Sequence, residues 1–415
     1  MWRILLEEFY GDLRAQKTRA FLTMFAITWG TIAVVLLLSF GEGLKQTAVN
    51  GLLGMGERIY MVWGGTTAKI FEGLPRGRQI RFTEEDLGLL KRSIPQIDLT
   101  SVSYGRGDAS LKVGDNKTTT FMEGVYPAFG DMRHMFPAPG GRFLDQPDLD
   151  DKRRVLFLGN KIAERLFGTE NPVGKTVMLD ALPFVVIGVM EKKFQDSNNN
   201  GPDENRAIIP ASTFKAIYGP QYVDELIVRP RDLASAPLVK QELYRVLGRR
   251  FDFDPTDRAA LAIWDFVEDE RESRKIGLGI QMFMGLVGAF TLLVAGVGVA
   301  NIMYVVVKER TREIGIKKAV GARKGHIMAQ FIFEALLVAL TGGLAGLVVS
   351  AIIVFGVDAI PTDGNPAMAY IANPRLSWPI ATICMSILLG IGLAAGILPA
   401  RRAAGVDPVE SLRYE

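Results

Sequence analysis

Residues 164–179 read ERLFGTENPVGKTVML, and the triplet Gly174-Lys175-Thr176 is the part of the chain that most resembles phosphate chemistry. A phosphate-binding loop has the form G-x-x-x-x-G-K-[ST]. It follows a strand and opens a helix, so that backbone N–H groups and the helix N-terminus face the anion. Here five residues separate Gly168 from Gly174, a helix-like run precedes and a strand-like run follows. Pro172 also removes one of the donors. The expected structure is a helix closed by Gly168, a turn, and a strand. The stretch DSNNNGPDENRA, 196–207, opens like a Ca²⁺ loop, but Ala207 stands at the twelfth position, where a bidentate Glu is required. It is expected to be a flexible polar tip between strands, with Asn198, Asn199 and Asn200 offered to an external partner. The acidic run DQPDLDD, 145–151, reads as a solvated loop. No Ser/His/Asp set, HExxH motif or Cys/His cluster occurs. The chain is therefore expected to be non-catalytic, with no metal site and no cofactor of its own.

The elements that would hold any site are set by hydropathy. Of 415 residues, 48% are hydrophobic, and they are clustered rather than dispersed. A bilayer core about 30 Å thick takes roughly 20 helical residues. Phe21 to Phe40, Ile280 to Val307, Phe331 to Val357 and Trp378 to Leu398 are long and apolar enough. The first run exceeds the roughly 7 to 15 residues of a signal-peptide core, and no small-x-small cleavage site follows Phe40, so it reads as a retained span. Cys384 lies in the fourth span, and the external part must fold without disulfides. Lys and Arg gather at both termini and between the second and third spans, whereas the loop after the third span holds only Arg375. The positive-inside rule then places both termini in the cytoplasm and residues 41 to about 275 on the far side. His134 and His326 fall on opposite sides and cannot share a site. The net charge of +3 is explained by this orientation and implies no nucleic-acid partner.

Between the first two spans, short apolar runs alternate with amphipathic ones. RIYMVWGG, LTSVSYG, RRVLFLG, KTVMLD, LPFVVIGVM, RAIIP, DELIVRP and LAIWDF read as strands. FTEEDLGLLKRSI, NKIAERLFG, ASTFKAIYG and APLVKQELYRVLGRRF read as helices, the first with Thr83 as N-cap. The pattern predicts an α+β domain with more than one small sheet. The lead-in VEDERESRKIGLGIQMF predicts a helix running unbroken into the second span. Small residues of that span, Gly288, Gly296 and Gly298 with Asn301, would let a second copy approach closely; lipid-facing positions are the plainer reading. Glu334, near the start of the third span, is a costly membrane carboxylate and is expected to hydrogen-bond within the protein.

The most informative residues are KERTREIGIKKAVGARKGHIMAQFIFEALLVALTGGLAG, 308–346. As a bare pattern they form a short basic helix, a break at Gly321 and a return into the bilayer. ERTREIGIKKAVGA, QFIFEALL and GGLAG resemble the signature of the FtsX/MacB-type permeases of ABC transporters. The ending LPARRAAGVDPVESLRYE, the entry DLRAQKTRAFLTMFAITWGTIAVV and the segment ERLFGTENPVGKTVMLDALPFVVIGVM are similar to the same family. Trp29 and the Asn-rich 196–205 segment depart from it.

The resemblance implies four transmembrane helices with a large extracytoplasmic α+β domain between the first and second. In family terms, 1–20 is a cytoplasmic amphipathic helix, 21–45 the first span and stalk, 46–270 the external domain, and 271–307 the second stalk and span. A cytoplasmic coupling loop follows at 308–330. The remainder is the third span (331–357), a short external loop (358–377), the fourth span (378–399) and a cytoplasmic tail (400–415). The resemblance implies an ABC-type ATPase as a separate chain, holding ATP and Mg, contacted through Glu309, Arg310, Arg312, Glu313, Ile314, Lys317, Gly321 and Arg323. It also implies a second permease copy, identical or paralogous, and an inner-membrane location. An efflux machine with a periplasmic adaptor and outer-membrane channel is the leading expectation. A regulator of a cell-wall hydrolase, a lipoprotein-releasing permease and a passive receptor are the others.

Overall fold

The computed structural model describes residues 17–195, 199–360 and 373–405. The segment read as an N-terminal amphipathic helix therefore lies outside the described residues up to residue 16. Asn198, most of the 358–377 loop and the tail beyond residue 405 lie outside them too. The chain divides into an external unit, Ala48–Ser273, and a membrane unit made of the residues before and after it.

Helix α1 (Lys17–Leu53) enters the external unit, which runs β1 (Tyr60–Gly64), α2 (Glu84–Ser93), β2 (Ile97–Val113), β3 (Asn116–Val125), α3 (Ala128–Met132) and α4 (Gln146–Asp150). It continues with β4 (Val155–Leu158), α5 (Asn160–Phe167), β5 (Thr176–Leu179), β6 (Leu182–Val189), β7 (Arg206–Pro210), α6 (Ala211–Tyr218), β8 (Glu225–Pro230), α7 (Ala236–Phe251) and β9 (Leu261–Asp265). Strands β9, β1, β8 and β2 are antiparallel neighbours in that order, with α2 following β1 and α7 following β8. This is the ferredoxin-like βαββαβ arrangement. Between β2 and β8 is inserted a second half, in which β2, β3, β7, β4, β6 and β5 pair in turn and β5 returns to β2, closing a ring.

The expectation of separate small sheets is thus corrected to two halves sharing one strand. Strand β2 is 17 residues long, with a register shift between Arg106 and Ala109. Its first part pairs with β8 and its last part with β3. Apolar strand positions alternate between two cores: Tyr60 and Val62 enter one, Ile59 and Met61 the other. Burial on both faces explains why RIYMV and RRVLFLG are nearly continuous apolar runs. Thr83 caps α2 as expected, its N–H donating to Asp86 at 2.7 Å. The acidic run 145–151 is corrected: it contains helix α4, and Asp148 is buried, with both terminal guanidinium nitrogens of Arg142 donating to its carboxylate.

The membrane unit contains α1 and helices α8 (Phe266–Glu309), α9 (Thr311–Ala319), α10 (Lys324–Asp358) and α11 (Trp378–Gly405). Four of these, all but α9, are long and apolar enough to cross a membrane. Lipid tails give helices little hydrophobic reason to associate, so close backbone approach at small residues does the work. A Cβ on Gly392 or Gly396 would lie 2.8 Å from Ala339 or Ala335, which joins α11 to α10. One on Gly346 would lie 2.7 Å from Thr31 Cβ and 2.8 Å from the Thr28 carbonyl, which joins α10 to α1. Overpacking such a contact costs about 1–3 kcal/mol. Gly346→Val is therefore expected to lower the thermal midpoint of the solubilised protein by several degrees. Gly356→Val, with nothing within 4 Å, should leave it unchanged.

Candidate functional site

Helix α8 ends at Glu309, and Arg310 adopts a non-helical conformation that turns the chain into α9. The Thr311 hydroxyl donates to the carbonyls of Val307 and Lys308, at 3.1 and 2.7 Å, satisfying acceptors left by the ending helix. Arg310 and Ile314 face the protein. The Arg310 guanidinium pairs with Glu334 on α10 at 3.0 Å, both side chains largely buried. Ile314 is 3% exposed among Ile327, Phe331 and Ala403. Lys318 donates to the Ala404 carbonyl at 3.1 Å, and Arg402 stacks over the Tyr304 ring. Gly321 ends the segment at φ 104°, a conformation that glycine adopts without a Cβ penalty, and Arg323 then caps α10.

The opposite face of α9 is open. Arg312, Glu313, Gly321 and Arg323 are exposed, and Glu313 pairs with Lys317 at 2.9 Å. Between these charges lie Ile316, 49% exposed, and Val320, 84% exposed. An apolar centre with a charged rim is the anatomy of a protein interface. Sequence reading did not single out Ile316 and Val320, although their i, i+4 spacing on the face away from Ile314 was available as a signal.

On the external side, the Gly168–Thr176 segment offers no phosphate cradle. The Gly174 N–H donates to Val186 O, the Lys175 N–H to Pro172 O and the Val173 N–H to Asn171, while Lys175 pairs with Glu170. The Asn-rich stretch differs from the free polar tip expected. Asn200 is exposed, but Asn199 donates to the Glu225 carboxylate at 3.0 Å. Beside it lies a buried ionic cluster. Asp203 accepts from Arg133 at 2.8 Å and Lys193 at 2.7 Å and faces Arg206 at 3.2 Å, while Arg206 reaches Glu123 at 2.6 Å.

Arg133, Asp203, Glu123 and Arg206 are at most 1% exposed. Three surrounding cations hold the Asp203 carboxyl well below the usual range despite its burial. Burial pushes the Lys193 ammonium down to about 8. Burial, and then the neighbouring Glu123, push Glu225 up to about 7, against Arg133, Arg206 and the Asn199 hydrogen bond. A carboxyl with a raised folded-state pKa contributes stability that is present below its unfolded value of 4.5 and lost as pH rises through about 7. The wild type minus Glu225→Gln difference in thermal midpoint should therefore fall between pH 5 and 8. The subtraction removes the opposing titrations of Lys193 and His134, whose values are both lowered.

Two family models match the chain: a MacB-like periplasmic core domain over residues 20–246 and an FtsX-like permease C-terminal region over residues 285–408. The first alone spans more than half of the sequence. The chain belongs to the MacB/FtsX-type permeases of ABC transporters. Among curated relatives, it is 30% identical to the macrolide export ATP-binding/permease protein MacB of Bdellovibrio bacteriovorus, over 99% of this chain and 61% of that protein. It is 29% identical to the pyoverdine export ATP-binding/permease protein PvdT of Pseudomonas syringae, over 96% of this chain and 57% of that protein. The chain thus spans about 60% of the length of these relatives. The crystallised periplasmic region of MacB from Actinobacillus actinomycetemcomitans is similar at a TM-score of 0.43 and 20% identity, covering 54% of this chain and 96% of that one. The permease is a multi-pass inner-membrane protein with a large domain of the MacB periplasmic type between its first and second spans.

Two of this permease's four small or polar interface candidates serve contacts inside the chain. A Cβ on Gly288 would meet Val34 of α1 at 3.0 Å, and one on Gly296 would meet Ile391 of α11 at 2.2 Å. At those two positions α8 packs against its own bundle. Gly298 has open space beside it and Asn301 is exposed, on a face shared with Phe290, Val294 and Val297.

Proposed function

We propose that this permease couples ATP hydrolysis by an ABC-type ATPase in the cytoplasm to motion of its external domain, and so drives export of a substrate from the outer side of the membrane. The observation that carries this reading is α9, anchored to its own bundle through Ile314 and the Arg310–Glu334 pair while presenting Ile316 and Val320 within a charged rim. A segment held on one face and open on the other can receive a push from a partner and pass it to the helices on either side. The family supplies the partner's class, and both named relatives are exporters. In this reading both termini lie in the cytoplasm, ATP and Mg belong to the ATPase, and two permease copies meet along the outward face of α8 that carries Gly298 and Asn301. Glu309 and Arg312 extend the charged rim.

The test is co-purification with the candidate ATPase and its hydrolysis rate. The Glu309→Lys, Glu313→Lys double variant should lose complex formation or lower the rate at least about tenfold, since reversed rim charges oppose docking. Unchanged binding and rate would remove α9 as the contact. The other proteins in the native complex select among outcomes: an adaptor supports efflux, whereas a cell-wall hydrolase or a lipoprotein points to the sister functions.

A further inference from the structure

Helix α1 ends at Leu53, and the N–H of the next residue, Gly54, donates to Asn50 O at 2.8 Å. A Cβ built on Gly54 would lie 2.1 Å from the Phe194 carbonyl oxygen and 3.2 Å from Gln195 Cα. Gly56, at φ 124°, repeats the arrangement on another segment, its Cβ position 2.3 Å from the Met132 carbonyl oxygen and 3.3 Å from Arg133 Cα. Backbone therefore rests directly on backbone at both points, with no room for a side chain to act as a cushion. The two supporting segments, Met132-Arg133 and Lys193-Gln195, are tied to each other by the ionic cluster. The Lys193 ammonium donates to Asp203 at 2.7 Å and to the Arg133 carbonyl at 2.9 Å. The Arg133 guanidinium donates to the other Asp203 oxygen at 2.8 Å, and the Asp203 N–H donates to Gln195 at 3.2 Å.

We infer that the end of α1 is a rigid joint, in which Gly54 and Gly56 seat its last turn on two segments that the Asp203 cluster locks together, so that residues 48–56 and the Asn199–Asn205 stretch move as one body. The physical reason lies in what each interaction resists. Apolar packing tolerates sliding, whereas a buried carboxylate held by three cations loses much of its compensation when any of them shifts. Backbone contact at glycine likewise transmits a displacement without side-chain rotamer changes to absorb it. Asn199 carries the connection on to β8 through Glu225. This inference rests on the mechanical reading of the permease and names its positioning residues: Gly54, Gly56, Lys193 and Asp203.

The experiment is amide hydrogen exchange on the full chain in lipid nanodiscs with its ATPase, comparing wild type, Gly54→Ala, Lys193→Met and the double variant. Gly54→Ala pushes the seat open, and Lys193→Met loosens the cluster by removing the donor to Asp203 and the Arg133 carbonyl while keeping an apolar chain of similar length. Each single variant should speed exchange of amides in 193–195 and 199–205 at least about tenfold while leaving β1 and β4 unchanged. The double variant should be no faster than the faster single, as expected of two parts of one device. A uniform rise across the sheet, or multiplied effects in the double variant, would overturn the joint. A second comparison separates the joint from the mechanical reading. Between nucleotide-free and ATP–vanadate states, wild-type exchange at 199–205 should change, and Gly54→Ala should lose at least half of that change. Full retention in Gly54→Ala overturns the joint and spares the mechanical reading. No change in wild type sinks the mechanical reading, and the joint is then decided by the exchange cycle.

Discussion

An Asp203→Ala variant is expected to unfold its external domain on the order of 10 °C below wild type. Asp203 is fully buried and faces Arg133, Lys193 and Arg206. The carboxyls of Asp203, Glu123 and Glu225 face these three cations. Removing Asp203 leaves positive charges confined where water cannot replace the lost partner. Breaking a buried ion pair on one side costs about 3–5 kcal/mol. In a domain of this size each kcal/mol moves the midpoint by about 2–4 °C. Differential scanning calorimetry or circular dichroism on the solubilised chain reads the shift. Asp115→Ala, at an exposed hairpin turn, is the control and should change little.

The second large effect is expected at Glu334, a residue with no place in the outward face of α9. Glu334→Ala should weaken ATPase binding at least about tenfold and lower the midpoint of the membrane unit. The pair with Arg310 lies at 3.0 Å, with side-chain exposures of 18% and 12%. Partial solvation reduces the cost of removing this partner of Arg310 to about 2–3 kcal/mol. That energy now holds the first residue of the α9 turn against α10, and without it α9 would lose its fixed orientation. Binding measured by surface plasmon resonance or microscale thermophoresis checks the effect. The conservative Glu334→Gln, which keeps an acceptor, should fall between wild type and Glu334→Ala. Equal affinities for all three would mean that α9 is positioned by Ile314 and its apolar neighbours alone.

How much of this was legible in the sequence depends on how local each feature is. The four spans and the Thr83 cap are written within single segments, by composition and by short-range hydrogen bonding. Gly168 and Gly321 mark their turns for the same reason. Strand β3, NKTTTFMEGV, was missed because its first residues are polar and its burial comes only from pairing with β2 and β7. Strand β2 was read as a short run because its extension, GRGDASLKV, looks like a loop until β3 and β5 are placed beside it.

The buried ionic cluster was invisible for a stronger reason. Glu123, Arg133, Lys193, the Asp203/Arg206 pair and Glu225 come from five separate places in the chain, and each residue taken singly has the composition of a solvated one. Only their convergence makes burial of these charges tolerable. On α9 the charged residues were legible, but which of them turn inward was not. Arg310 and Ile314 face the bundle because Glu334 and the α10 core lie there, and that leaves Ile316 and Val320 exposed.

The most direct measurement is the distance between two copies' external domains in the two nucleotide states. A spin label on D115C, in a Cys384→Ser background, reports it by double electron–electron resonance in nanodiscs containing the permease and its ATPase. The mechanical account predicts that the distance distribution shifts by several ångströms, on the order of one helical turn, between the nucleotide-free and ATP–vanadate states. It also predicts that the shift disappears in the Glu309→Lys, Glu313→Lys variant. Superimposable distributions in a complex that hydrolyses ATP at its full rate would contradict it.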